Sequence, residues 1–177
     1  MEVNQVFSNF TFRKAQAEEA EAIWGIIQEA IEKRKAEGSR QWQDGYPNLD
    51  VVKQDIATGY GYVSIDEEEI LTGYLALIYD GEPAYDAIQD QWLTNRPYAV
   101  AHRIAVSQDR YKKGQATWML EQAERQSLQD GYLSLKVDTN FDNEGMLRVL
   151  EKRGYVYCGD VYFRGSARKA FEKMLDQ

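Results

Sequence analysis

The chain has 177 residues, and its 44% apolar and 28% charged composition is that of an ordinary globular protein able to bury one normal core, so a single domain over residues 1–177 is expected. The formal net charge of -8 argues against a polyanion such as nucleic acid as partner and favours cationic ligands. The single cysteine, Cys158, excludes an internal disulfide framework and fits a reducing compartment, and no Cys/His cluster points to a metal. No apolar stretch approaches the roughly 20 residues that span a bilayer. Met1 to Phe10 lacks a basic segment followed by an apolar run, so a cytoplasmic protein with no membrane partner is expected.

Thr11 to Lys14 fits a short first strand. Ala20, Ile23, Trp24, Ile27, Ala30 and Ile31 then recur at helical spacing, which predicts an amphipathic helix from about Ala17 to Lys35, with Gly38 as its stop. A loop rich in aromatic and polar groups, Gln41 to Pro47, precedes a second helix capped by Asn48 or Asp50, with Val51, Ile56 and Ala57 facing inward. Tyr62–Ile65 and Ile70–Tyr79 flank the acidic turn Asp66 to Glu69 and predict a hairpin. The connection Asp80 to Pro97 carries Tyr85, Ile88 and Trp92 at helical spacing, and connections of that length are often functional.

Tyr98 to Val106 is predicted as a strand with Val100, Ile104 and Val106 on one face. A helix from about Gln115 to Asp130, a near-continuous apolar strand Tyr132–Val137, and a helix from about Asn143 to Arg153 follow, the two helices stopping at Gly131 and Gly154. Two short strands, Tyr155–Cys158 and Val161–Arg164, close the pattern. The late helices follow strands directly and require parallel pairing through crossovers, whereas the early hairpin is antiparallel. The prediction is a mixed α/β (α+β) fold: one central twisted sheet of about six to seven strands, with helices on both faces.

The stretch Tyr98 to Ala116 carries the chemistry: a buried strand, a basic loop, then a helix opening at Gly114. A helix N-terminus offers unpaired N–H groups and partial positive charge suited to phosphate, and Arg110, Lys112 and Lys113 reverse the sign of an acidic chain locally. A solvated strand-to-helix turn accounts for the same features equally well.

This segment resembles the GNAT N-acetyltransferase superfamily. Ile104-Ala105-Val106 is similar to the family's apolar-x-Val strand end. Tyr111-Lys112-Lys113-Gly114-Gln115-Ala116 is similar to its Gln/Arg-x-x-Gly-x-Gly/Ala pyrophosphate loop, with a tyrosine at the first position and Arg110 and Tyr111 exchanged relative to the usual order. Asp138 to Asn143, then a helix, then Gly154-Tyr155 is similar to a second family pattern. The resemblance implies the family fold and acetyl-CoA as co-substrate, without a metal. It implies cofactor contacts from Ile104, Ala105, Val106, Tyr111, Lys112, Lys113, Gly114, Gln115, Ala116 and Asn143, and transfer to a primary amine, while the aromatic insertion Tyr85 to Trp92 suggests a closed pocket for a small-molecule or amino-acid-like acceptor. Acetylation of a protein N-terminus or lysine, and a CoA-binding sensor without turnover, stay open as alternatives. So does a homodimer.

Many family members protonate the departing thiolate with a tyrosine four residues before the glycine; here that position is Leu150, which has no acidic proton. His102, the single histidine, lies on the strand before the loop and is the candidate base, since an unperturbed imidazole titrates near 6.5; a packed structural role competes. Trp42, Tyr46, Trp92 and Tyr98 are the candidate acceptor contacts, because aromatic faces can hold a cation. Cys158 is expected to be a core thiol.

Overall fold

The computed structural model describes residues 3–110 and 112–176. A one-turn helix α1 (Val3–Val6), which the sequence did not signal, precedes β1 (Thr11–Lys14), a 3-10 turn (Ala17–Glu19), α2 (Ala20–Ala36) and α3 (Leu49–Thr58). Next come β2 (Gly61–Ile65), β3 (Leu71–Ile78), a 3-10 segment (Pro83–Gln91) and β4 (Ala99–Val106). The chain ends with α4 (Gln115–Gln129), β5 (Ser134–Asn140), α5 (Glu144–Lys152), β6 (Val156–Phe163) and β7 (Ser166–Met174). The strands form one seven-stranded sheet in the order β1-β2-β3-β4-β5-β7-β6. Pairing is antiparallel within β1-β2-β3 and within β5-β7-β6, and parallel between β4 and β5, so the sheet is mixed as expected.

The chain divides into two compact units. One takes the chain up to Leu77 and again from Arg103 to Met119; the other takes Ile78–His102 and everything from Leu120 onward.

In the first unit, Phe7, Phe10 and Trp118 pack ring against ring at 5.0 to 5.8 Å, and α2 buries Ile23 and Ile27 completely. The Asn48 side chain caps α3 by accepting from Val51 N at 3.0 Å. The inward face of α3 differs from expectation: Val52 and Asp55 are buried while Ala57 is exposed, because Asp55 has charged and polar partners inside. The start of α4 is fixed by Gln115, fully buried, whose Nε2 donates to Ser64 Oγ at 3.2 Å and to Thr72 O and Oγ1 at 3.0 Å. Gly73 lets the helix close on β3, since a Cβ there would meet Met119 Sδ at 2.7 Å.

In the second unit, Tyr85, Ile88, Val100, Val161 and Ala170 form a buried cluster. The 3-10 segment lies against β6, where a Cβ on Gly159 would meet Gln91 Oε1 at 2.5 Å. The sequence reading divides β6 into two pieces and misses β7 altogether. The reason is visible in the buried residues of β7: Arg168, Ala170 and Glu172 alternate inward, so burial is period-two but hydrophobicity is not. The β4 alternation counted through Val100, Ile104 and Val106 is likewise interrupted, because Arg103 between them takes φ of 53°.

Candidate functional site

In the first unit the connection from β4 to α4 has the features of an anion cradle. Gly114 has φ of 87°, a conformation that suits glycine and keeps the backbone bare. Gln115 N donates back to Lys112 O at 3.1 Å and the helical ladder begins with Trp118 N to Gly114 O at 3.0 Å. The amides of Ala116 and Thr117 therefore have no hydrogen-bond partner among the described residues. Gln115 contributes backbone only, its side chain being buried beneath the loop. Tyr111 lies outside the described residues.

The basic side chains of this loop are largely engaged by the chain itself. Arg110 Nε donates to Asp66 Oδ2 at 2.6 Å and Nη2 to Glu68 Oε2 at 2.7 Å, while Lys112 Nζ reaches Glu67 Oε1 at 3.1 Å. The acidic turn is thus a latch on the loop. Lys113 is exposed and has no ion pair among the described residues. Asp66 uses its other oxygen to staple the turn, accepting from Glu68 N and Ile70 N at 3.0 Å. Burial alone would raise the Asp66 pKa, but those amides and Arg110 outweigh it and hold the carboxyl below its ordinary range.

A second cluster in this unit surrounds Arg103, at the point where β4 leaves regular geometry. Its Nη2 lies 2.6 Å from Asp55 Oδ1 and its Nε 2.9 Å from Asp55 Oδ2, a bidentate pair with both side chains under a tenth exposed. Nη1 donates to the Tyr46 hydroxyl, and Tyr74 OH donates to Asp55 Oδ2 at 2.6 Å. Burial opposes the Arg103 charge, yet the bonded Asp55 carboxylate outweighs it and lifts the guanidinium pKa; burial and then Asp55 push the Tyr74 phenol up. A left-handed non-glycine residue costs about 1–2 kcal/mol. Ile104, Ala105 and Val106 follow immediately, and the β4 register with β5 covers Ala99 to Ala101 only.

In the second unit, His102 stands between two carboxylates. Nε2 is 3.2 Å from Glu82 Oε2 and Nδ1 is 3.7 Å from Asp138 Oδ2, with the imidazole 13% exposed. Tyr85 OH donates to Asp138 Oδ2 at 2.6 Å, and burial followed by Asp138 raises the Tyr85 phenol well above its ordinary pKa. Glu82 N donates to Tyr98 OH at 3.3 Å. Trp92 and Tyr98 are brought together around an internal cation: Lys136 Nζ lies 4.0 Å from the Trp92 ring centroid and 3.6 Å from that of Tyr98. Burial pushes the Lys136 pKa down. Tyr46, in the first unit, holds Arg103 in the same way, and Trp42, half-buried on the same loop, has φ of 62°.

The remaining candidates have structural surroundings. Asn143 caps α5 by accepting from Met146 N at 3.2 Å, and Leu150 is fully buried. Cys158 is a core thiol whose pKa is raised by burial. Asp55, Glu82, Lys136 and Asp138 escape the sequence reading. The available signal was a charged residue inside an apolar strand, as with Arg103 and Lys136, since a buried charge requires a partner. Among the described residues no group of three or more His, Cys, Asp or Glu side chains is placed to hold a metal ion, and no helix is long and apolar enough to cross a membrane.

The sequence profile of the acetyltransferase (GNAT) family matches residues 26–155. The structure is similar to a GNAT-family acetyltransferase from Streptococcus agalactiae 2603, at 36% identity over 93% of this chain and 95% of that one, with a TM-score of 0.81. It is also similar to a GNAT-family acetyltransferase from Listeria monocytogenes 4b F2365, at 21% identity, 93% and 94% coverage and a TM-score of 0.73. A Salmonella typhimurium protein solved with its cofactor acetyl-CoA shares the fold at 18% identity, 96% and 95% coverage and a TM-score of 0.67. No curated protein matches the chain.

Proposed function

The chain belongs to the GNAT acetyltransferase family, and from that premise we propose that it acetylates the primary amine of a small-molecule or amino-acid-like acceptor by direct attack in a ternary complex. Acetyl-CoA-dependent acyl transfer is the chemistry of the family; the acceptor and the residue roles are the proposal. The observation that carries it is His102 held between Glu82 and Asp138.

The backbone fits the co-substrate. The bare Gly114 turn and the open amides of Ala116 and Thr117 suit a pyrophosphate, with Lys113 exposed beside them. The amides of Ile104 to Val106 would hold the acyl carbonyl and the pantetheine arm. Acetyl-CoA, when bound, supplies the thioester. The amine nitrogen bonds to the carbonyl carbon, the carbon–sulfur bond breaks, the nitrogen gives up a proton and the thiolate takes one.

An ammonium group must be deprotonated before it can attack. With Glu82 bonded at Nε2, the imidazole is left with Nδ1 as the proton acceptor, and Asp138 sits on that side to balance the imidazolium. The same two carboxylates favour a cationic acceptor over an anionic one. In the second unit the remaining ring faces of Trp92 and Tyr98 stay as acceptor contacts, one face of each being committed to Lys136. Leu150 belongs to the core, so the thiolate is protonated by water or another group.

Release of free CoA thiol across a panel of small amines and peptides tests the acceptor class; peptides outperforming every small amine overturns it. His102→Gln is expected to lower kcat by about 10²-fold or more, to remove the limb that an imidazole imposes on the pH–rate profile, and to leave acetyl-CoA affinity intact. A wild-type pH profile in that variant would make His102 a packing residue.

A further inference from the structure

Among the described residues, four non-glycine residues have left-handed backbone: Trp42, Glu69, Arg103 and Arg164. Arg103 alone among them lies inside a strand, one residue before Ile104-Ala105-Val106. A long side chain in this conformation persists when its surroundings over-determine it. Those surroundings converge from three places: Asp55 on α3, Tyr74 on β3 and Tyr46 on the loop before α3. Asp55 is 5% exposed and its carboxylate meets both the guanidinium and the Tyr74 hydroxyl.

A pair of this kind is a poor way to gain stability, since apolar residues of similar volume often do as well. What a bidentate pair does supply is direction: it fixes the guanidinium plane and, through a short lever, the backbone that carries it. We propose that Arg103 and Asp55 are positioning residues whose buried ion pair holds β4 in its left-handed turn and thereby sets where the amides of Ile104 to Val106 lie for acetyl transfer. The inference rests on the role given above to those amides. It concerns how they are held and assigns no contact with substrate to Arg103.

Two double variants separate backbone geometry from side-chain chemistry, because both remove the guanidinium and the carboxylate charge. In Arg103→Gly/Asp55→Asn the glycine adopts the left-handed turn unaided. In Arg103→Ala/Asp55→Asn it is strained. The alanine variant is expected to lose at least about tenfold in kcat, about 1.4 kcal/mol of activation free energy, while the glycine variant stays within about threefold of wild type. The amine KM should be unchanged in both. Equal kcat values in the two variants, whether both impaired or both intact, overturn the proposal.

If wild type turns over no small amine, the acceptor reading fails by itself. The acetyl-CoA dissociation constants of the two variants, measured by calorimetry without any acceptor, then decide positioning: about tenfold weaker binding in the alanine variant supports it and equal binding overturns it. If neither variant folds, Tyr74→Phe removes one hydrogen bond from Asp55 and keeps the ion pair. A several-fold fall in kcat with unchanged amine KM supports positioning there, and an unchanged kcat overturns it.

Discussion

Two sets of ion pairs flank the segment from Arg103 to Ala116, and they differ in kind. The Arg103–Asp55 pair is bidentate, buried and backed by two phenols. The Arg110–Glu68 and Lys112–Glu67 pairs lie at the surface, with Glu68 65% and Glu67 47% exposed, while Arg110 is also held by Asp66, which is buried. Water and salt screen the pairs to Glu67 and Glu68 and leave their geometry negotiable; the Arg103–Asp55 pair has nowhere else to go. A rigid hold therefore precedes the strand end, and an exchangeable hold lies on the loop proposed to take the pyrophosphate. Under that proposal the difference suits a loop whose cations change partners when a polyphosphate arrives.

The sharpest way to break this contrast is to remove one partner of the buried pair. Asp55→Ala leaves the Arg103 charge buried and uncompensated, and is expected to cost about 3–5 kcal/mol of folding stability by denaturant titration. A cost below about 1 kcal/mol would make the two sets equivalent. At the loop the expected effect is smaller and has the opposite sense for binding. Glu67→Gln with Glu68→Gln frees Lys112 and loosens Arg110, so acetyl-CoA affinity should rise by at most a few-fold at low salt, and the gain should shrink as ionic strength increases. A gain independent of salt would mean that the acidic turn acts by shape instead of charge.

The smallest effect is expected from acid. Asp66 has its pKa lowered in the folded protein, so its contribution is present above the unfolded value and is lost as pH falls through the folded one. The amide resonances of Glu68 and Ile70, which donate to Asp66, should therefore keep their neutral-pH positions until the medium is more acidic than the ordinary carboxylate range. Movement within that ordinary range would show that Asp66 is not held.

Sequence alone carried the elements whose burial is apolar. The spacing of Ile23 and Ile27, the hairpin around Asp66 and the Gly114 helix start all survive in the structure, as does the family resemblance built on the loop. It failed where burial is polar. β7 turns Arg168 and Glu172 inward, α3 turns Asp55 inward, and neither pattern registers on a hydrophobic period. At the candidate site, His102 and the loop stand out by residue type and order, whereas Glu82, Asp138 and Asp55 meet their partners across separations of 20, 36 and 48 residues. Trp92 and Tyr98 each turn a ring face to the chain's own Lys136, because electrostatics does not distinguish a substrate ammonium from a lysine.

The left-handed turn at Arg103 has a consequence for how relatives of this chain should vary. A backbone with φ near 53° is open to glycine and asparagine without assistance, and to a long side chain only with a tether. Position 55 and position 103 are therefore expected to covary: an acid at the first with arginine at the second, or glycine or asparagine at the second with no constraint on the first. Phenylalanine in place of Tyr74 should accompany the untethered solution more often than the tethered one, since only the tether needs that hydroxyl. An aligned family would then record, in pairs of substitutions, two alternative ways of bending the same strand.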